Sequence, residues 1–210
     1  MMSSGTNPVS PPIVGLTGGI GAGKSAVAKM LKEAGCVVAD ADATVGHLLQ
    51  SPGIIDTLVR WWGASVLDES GGLDRAAIAS IVFADKAERA RLEQLLHPLV
   101  NQHRMDLFAE APASTPALVI DAPLLFEVGL DDACDVIVFV DSDSTHCRHR
   151  IIASRGWSEA EFERRMQAQI STEEKRARAD IVVSNNGDLD ALQIEVNRFM
   201  QQLTGISDQC

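Results

Sequence analysis

Five short apolar runs punctuate the chain: Ile13 to Leu16, Cys36 to Ala39, Ala117 to Ile120, Asp135 to Val140 and Ile181 to Val183. Each is too short for a helix and is dominated by β-branched or aliphatic residues, the composition of strands buried on both faces of a parallel sheet. After the first run, Val27, Met30, Leu31 and Ala34 fall at i, i+3, i+4 and i+7, so they share one helical face, and Gly35 is placed to end that helix. Residues 40–116 carry helical patterning only. Ile54, Ile55, Leu58, Val59 and Trp62 make one face, Ile78, Ile81 and Val82 a second, and Leu92, Leu95, Leu96, Leu99 and Val100 a third that Pro98 interrupts. That stretch is too long for a simple crossover and reads as a helical lobe inserted between sheet strands. A helix around Leu189 to Leu203 closes the chain. Strands alternating with helices predict an α/β fold with a parallel five-stranded sheet covered on both faces.

Two further helices begin between the fourth and fifth runs, where Ser158 with Glu161 and Ser171 with Glu174 each form a capping box. Neither has a broad apolar stripe, and nearly half of the 18 Lys and Arg residues lie between Arg148 and Arg178. Weakly anchored basic helices suit a mobile lid better than a core element. A single arginine there, such as Arg164 or Arg176, reads as a solvated helix face. As a cluster, the arginines could close on a phosphoryl group, a role favoured for Arg150 above the others.

The segment between the first strand and first helix concentrates the chemistry. Gly18, four residues, then Gly23, Lys24 and Ser25 match a phosphate-binding loop, whose glycines turn successive backbone N–H groups inward around a polyphosphate. Lys24 would neutralise the β and γ phosphates and the Ser25 hydroxyl would ligate Mg²⁺. A glycine-rich turn with no ligand is the bland alternative; the strand before and the helix after favour the functional one. In a parallel sheet, ligands sit outside the carboxyl ends of the strands. Asp40, Asp42 and Asp121 follow strands directly, which suits a general base for an attacking hydroxyl and an acid that orients magnesium. Each Asp has a structural alternative as a helix cap, evenly matched with function for Asp40 and weaker for Asp42. His97 reads as a cap or core histidine, and Trp61 and Trp62 as lobe core and rim.

Composition narrows the picture. A 210-residue chain that is 46% hydrophobic can bury one good core with an insertion. A net charge of −11 argues against nucleic acid or acidic membrane as a partner. Residues 1–12 are small, polar and proline-rich, which predicts a disordered tail and not a signal peptide. Cys36, Cys134, Cys147 and Cys210 have neither disulfide nor metal spacing, so reduced cytoplasmic thiols are expected. A nucleotide switch for guanine would need an N/T-K-x-D motif, which is absent from the sequence.

From about Val14 to Leu192 the sequence resembles the dephospho-CoA kinase family, which phosphorylates the ribose 3′-hydroxyl of dephospho-coenzyme A with ATP in the last step of coenzyme A synthesis. The resemblance lies in LTGGIGAGKS, VVADAD, GGLDRAAIASIVF, LEQLLHPLV, DAPLLFEVGLDDACD, RGWSEAEFERRMQAQIS and ADIVVSNNGDL. It implies a P-loop kinase fold, with ATP and Mg²⁺ as cofactors and dephospho-CoA as the small-molecule substrate. ATP phosphates are implied on Gly19 and on Gly21, Ala22, Gly23, Lys24, Ser25 and Ala26, and the adenine near Asn186 and Gly187. The resemblance also implies a catalytic carboxylate at Asp42, with Lys24 and the lid arginine Arg150 completing the catalytic set, and a metal site at Ser25 and Asp121. Acceptor contacts are implied at Asp40 and His97 in the helical lobe, and at Pro123, Leu124, Leu125 and Glu127. Ala26 stands where the family usually has Thr, and Ser154 where a second lid arginine usually follows, with Arg155 one residue later. The expected organisation is a core of residues 13–42, 117–145 and 180–205, a substrate lobe of 43–112 and a lid of 146–179, acting as a cytoplasmic monomer. Another small-molecule kinase of the same fold is the nearest alternative.

Overall fold

The computed structural model describes residues 10–155, 159–167 and 169–207; the capping box expected at Ser158, Cys210 and most of the expected N-terminal tail lie outside them. The strands are β1 Ile13–Gly18, β2 Val37–Asp40, β3 Leu118–Asp121, β4 Val136–Asp141 and β5 Ile181–Ser184. They form one sheet in the order β2-β3-β1-β4-β5, with β1 parallel to β3 and β4, and β4 parallel to β5. β1 is central, so water reaches neither of its faces: Val14, Leu16 and Thr17 are all fully buried. This burial is why its run is almost continuously apolar.

The chain divides into two compact units, residues 40–110 and the remainder. In the sheet unit, helix α1 (Lys24–Glu33) lays Val27 and Leu31 against Val14 and Leu16 of β1. Gly35, at φ 93°, terminates it in a left-handed conformation while Cys36 N–H returns to Leu31 O at 3.0 Å. The closing helix, which becomes α9 (Leu189–Ser207), adds Val196, Phe199 and Leu203 to the same core. Gly15 of β1 points to the other face, where a Cβ would meet Cys134 Sγ at 2.8 Å and Leu125 Cδ2 at 2.9 Å.

The second unit is helical. It comprises α2 (Ala41–Leu48), α3 (Pro52–Trp62), α4 (Arg75–Ala84) and α5 (Lys86–Ala109), packed around Ile54, Leu58, Val66, Ile78 and Leu96. Trp61 and Trp62 border this core edge to face, with Arg91 stacked 3.9 Å over Trp61 and Glu88 accepting from the Trp62 indole at 2.6 Å. The interruption expected at Pro98 does not occur: α5 runs through it. Proline there forfeits one N–H, but Leu92, Leu95 and Leu96 on one side of the helix keep packing into the core. His97, expected to be a cap or core residue, is exposed in mid-helix, one position past buried Leu96. Between β4 and β5 lie α6 (Ser144–Arg155), α7 (Glu159–Gln167) and α8 (Thr172–Arg178), the last capped by Ser171, whose hydroxyl accepts from Glu174 N–H at 3.0 Å.

Among the described residues no helix is long and apolar enough to cross a membrane. Cys36, Cys134 and Cys147 form no disulfide among the described residues. Burial pushes the Cys36 thiol up from 9.0 to about 11, against a smaller downward pull from the Ala117 backbone. Below pH 9 the thiol is protonated both folded and unfolded. As pH rises from 9 to 11 the unfolded chain ionises first, so stability falls, by about 2–3 kcal/mol in full. Denaturant titrations at pH 8 and pH 10 should show a smaller loss for Cys36→Ala than for the parent chain; equal losses would contradict the assignment.

Candidate active site

Glycine is required at several points of the turn from β1 into α1. Gly21 and Gly23 adopt φ of 80° and 90°, where a Cβ is strained. A Cβ on Gly21 would also sit 2.5 Å from Cys147 O, and one on Gly18 would sit 2.9 Å from Val140 O. The loop is thereby pressed onto the ends of β4 and α6. Ala22 N–H donates to Gly19 O at 3.1 Å, and Ala22 O accepts from the buried Asn185 side chain at 2.7 Å. Asn185 is itself fixed, its N–H donating to Asp141 O at 2.7 Å and its carbonyl accepting from Ser142 Oγ at 3.0 Å.

Gly23 is the N-cap of α1 and supplies no side chain to cap it. Ala26 and Val27 N–H groups return to Gly23 O, at 2.9 and 3.3 Å. The amides of Lys24 and Ser25 have no partner among the described residues. By contrast α2, α4, α5 and α8 are capped by Asp40, Asp74, Asp85 and Ser171. Open amides at the positive end of a ten-residue helix form a site for an anion. Ser25 is exposed in that first turn, while Lys24 is ion-paired with Asp121 at the carboxyl end of β3, both largely buried. A buried pair is a poor source of stability, because desolvation offsets most of the attraction. Its value here is a cation held at the mouth of the loop.

The flanking wall is stitched in the same manner. Asn186 Oδ1 accepts from Asp143 N–H at 2.7 Å, and Gly187 packs so closely that a Cβ would lie 2.8 Å from that of Ala191. Pro123 and Leu124 are half-buried, whereas Leu125, expected to touch the acceptor, is fully buried beside Gly15, so its side chain is core. Glu127 Oε1 accepts from Ile170 N–H at 3.0 Å and lies 3.3 Å from Lys175 Nζ; its buried Oε2 has no hydrogen-bond partner among the described residues. Asp40 and Asp42 belong to the helical unit. Asp40 caps α2, accepting from Ala43 N–H at 2.9 Å, and Asp42 is exposed in its first turn. His97 is in that unit too. Arg150 lies on α6, with its side chain outside the described residues.

The family model for dephospho-CoA kinase matches residues 12–191. The dephospho-CoA kinase of Symbiobacterium thermophilum is 42% identical, over 92% of this chain and 82% of that one. The chain belongs to the dephospho-CoA kinase family. It is also similar to the crystal structure of TT1252 from Thermus thermophilus, with a TM-score of 0.80 and 33% identity, covering 93% of this chain and 99% of that one. A dephospho-CoA kinase from Campylobacter jejuni shares the fold, with a TM-score of 0.68 and 20% identity over 93% of this chain and 98% of that one.

As a member of a kinase family it is a transferase that uses ATP and acts on a small molecule. Two residues that brace this region are not marked by local sequence pattern alone. Asn185 follows Val183 at the spacing that returns a side chain to the buried face, beside the more conspicuous Asn186 and Gly187. Lys175 lies within the basic cluster between Arg148 and Arg178, yet it is only 1% exposed. Its sequence neighbourhood of Glu, Arg and Ala gave no signal. Arg176 and Arg178 are held by half-buried carboxylates, Asp141 at 2.6 Å and Asp131 at 2.7 Å, and Arg178 also stacks 4.1 Å over Phe126.

A paired substitution tests the loop. Gly19→Ala should be tolerated, because its Cβ finds ordinary contact at 3.7 Å with Thr172. Gly21→Ala should weaken ATP binding at least tenfold by calorimetry, and comparable binding by the two variants would contradict this geometry.

Proposed function

We propose that the chain transfers the γ-phosphoryl group of ATP to the ribose 3′-hydroxyl of dephospho-CoA, giving coenzyme A and ADP. The uncapped start of α1, with Lys24 beside it, carries this reading in a chain of this family. Gly19 to Ala26 would surround the phosphates, and the ammonium of Lys24 would exchange the Asp121 carboxylate for phosphate oxygens of greater charge. Asn186 and Gly187 would border the adenine.

Mg²⁺ fits the donor set. Among the described residues no cluster of three His, Cys, Asp or Glu could cage a metal. Magnesium instead takes one or two protein oxygens and completes its shell with phosphates and water, and the exposed Ser25 hydroxyl and the buried Asp121 carboxylate are oxygen donors of that kind. When bound, the ion would neutralise charge on the transferring phosphates.

Asp42 is the proposed base, orienting the 3′-hydroxyl and holding its proton. Its exposure in the first turn of α2 leaves the carboxylate free of capping duty, which Asp40 performs. Arg150 is the proposed lid arginine, residues 146–179 the lid, and 43–112 the acceptor lobe, with Asp40, His97, Pro123, Leu124 and Glu127 as acceptor contacts. The orphaned Glu127 Oε2 supports the last of these, since a buried acceptor without a donor is costly until one arrives. Cysteines outside disulfides suit the reducing cytoplasm, and a monomer is the proposed state.

ADP release measured with and without dephospho-CoA, against a panel of sugar, nucleotide and shikimate-like acceptors, tests the reading. Release that depends on dephospho-CoA is expected; dependence on another acceptor, or on none, would overturn it. Lys24→Ala should abolish nearly all transfer, and activity within tenfold of the parent would remove the loop from the mechanism. Asp42→Asn should lower turnover by about 10² to 10⁴, the range for a positioned general base, with ATP affinity within a few-fold. Asp40→Asn should stay within tenfold, because asparagine caps a helix as well as aspartate does. A dead Asp40 variant beside a normal Asp42 variant would reverse the roles.

A further inference from the structure

Lys175 is the most deeply buried charge among the described residues, 1% exposed in the middle of α8. Burying an ammonium is expensive unless it is paired and hydrogen-bonded. Here it has a full set of partners: it donates to Pro123 O at 2.9 Å and Gln169 Oε1 at 2.8 Å, and lies 3.3 Å from Glu127 Oε1. Burial still pulls its pKa below the usual lysine range, with Glu127 opposing and Lys24 adding a smaller pull in the same direction.

Two of these partners belong to the segment from Pro123 to Glu127. At the first residue of the same helix, Thr172 sits over the phosphate loop, 3.7 Å from where a Gly19 Cβ would lie. α8 also packs on β1 and β4. One short helix thus touches the donor loop at its first residue and grips the Pro123–Glu127 segment through a single ammonium.

We propose that Lys175 is a positioning residue for phosphoryl transfer: it fixes the Pro123–Glu127 segment at a set distance from the phosphate loop, and so aligns the acceptor with the donor. The proposal rests on the reading that this segment contacts the acceptor. A cation suits the task better than an apolar side chain, since it fixes a carbonyl and a carboxylate in direction as well as distance. Misplacement by about 1 Å can cost on the order of 10²-fold in rate even when both substrates still bind.

The test is Lys175→Met, which keeps length and removes the charge. Its kcat/KM for dephospho-CoA, per folded molecule, should fall at least tenfold, while the Kd for ATP from calorimetry stays within twofold of the parent. An unchanged kcat/KM with a lowered Tm would make Lys175 a purely structural residue and overturn the proposal. So would an ATP Kd that weakens as much as kcat/KM, because the donor loop would then be what Lys175 supports. Should Lys175→Met fail to fold, Gln169→Leu removes one acceptor from the ammonium at a half-buried position. It should lower kcat/KM at least threefold at constant ATP Kd, and no change would overturn the proposal. A parent chain without dephospho-CoA-dependent ADP release would defeat the functional reading itself, a result separate from any difference between variants.

Discussion

The turn from β1 into α1 has no room for a side chain at Gly18 or Gly21, and much of the sheet unit follows from that constraint. Gly18 and Gly21 approach the carbonyls of Val140 and Cys147 closer than any Cβ allows. The loop must therefore be anchored by what lies around it. β1 occupies the centre of the sheet, α1 is bolted down by Val27 and Leu31, and Asn185 reaches across from the end of β5 to hold Ala22 O. Lost freedom is exchanged for preorganisation: the Lys24 and Ser25 amides point outward from a rigid frame before any phosphate arrives.

Charge is handled by the same logic. Lys24 with Asp121 and Lys175 with Glu127 are cation–carboxylate pairs withdrawn from water. Apolar replacements of similar volume would serve stability about as well. Their retention is understandable if one cation serves the donor phosphates and the other holds the acceptor segment. The lowered pKa of Lys175 records what this arrangement costs.

Local patterns carried most of the fold. Each strand was legible as an apolar run, with ends displaced by no more than two residues, because parallel strands buried on both faces leave a continuous signature. The phosphate loop was legible because its constraint is met within eight consecutive residues. What escaped depends on contacts distant in sequence. Lys175 and Glu127 meet across 48 positions, and nothing near either announces the pairing. α5 continues through Pro98 because tertiary packing outweighs one missing hydrogen bond. Leu125 sits in a segment that reads as acceptor-binding, yet it fills the space left by Gly15.

The central claim is that a loop built for a nucleoside triphosphate delivers its phosphoryl group to one particular hydroxyl. Dephospho-CoA offers several nucleophiles, including the ribose 2′-hydroxyl and the thiol. The most direct measurement is therefore where the new phosphate sits in the product, read by phosphorus–proton coupling in NMR after incubation with ATP. Coupling to the ribose 3′ proton is the result this account predicts. Phosphate on the 2′ oxygen, on sulfur, or on no acceptor at all would contradict it.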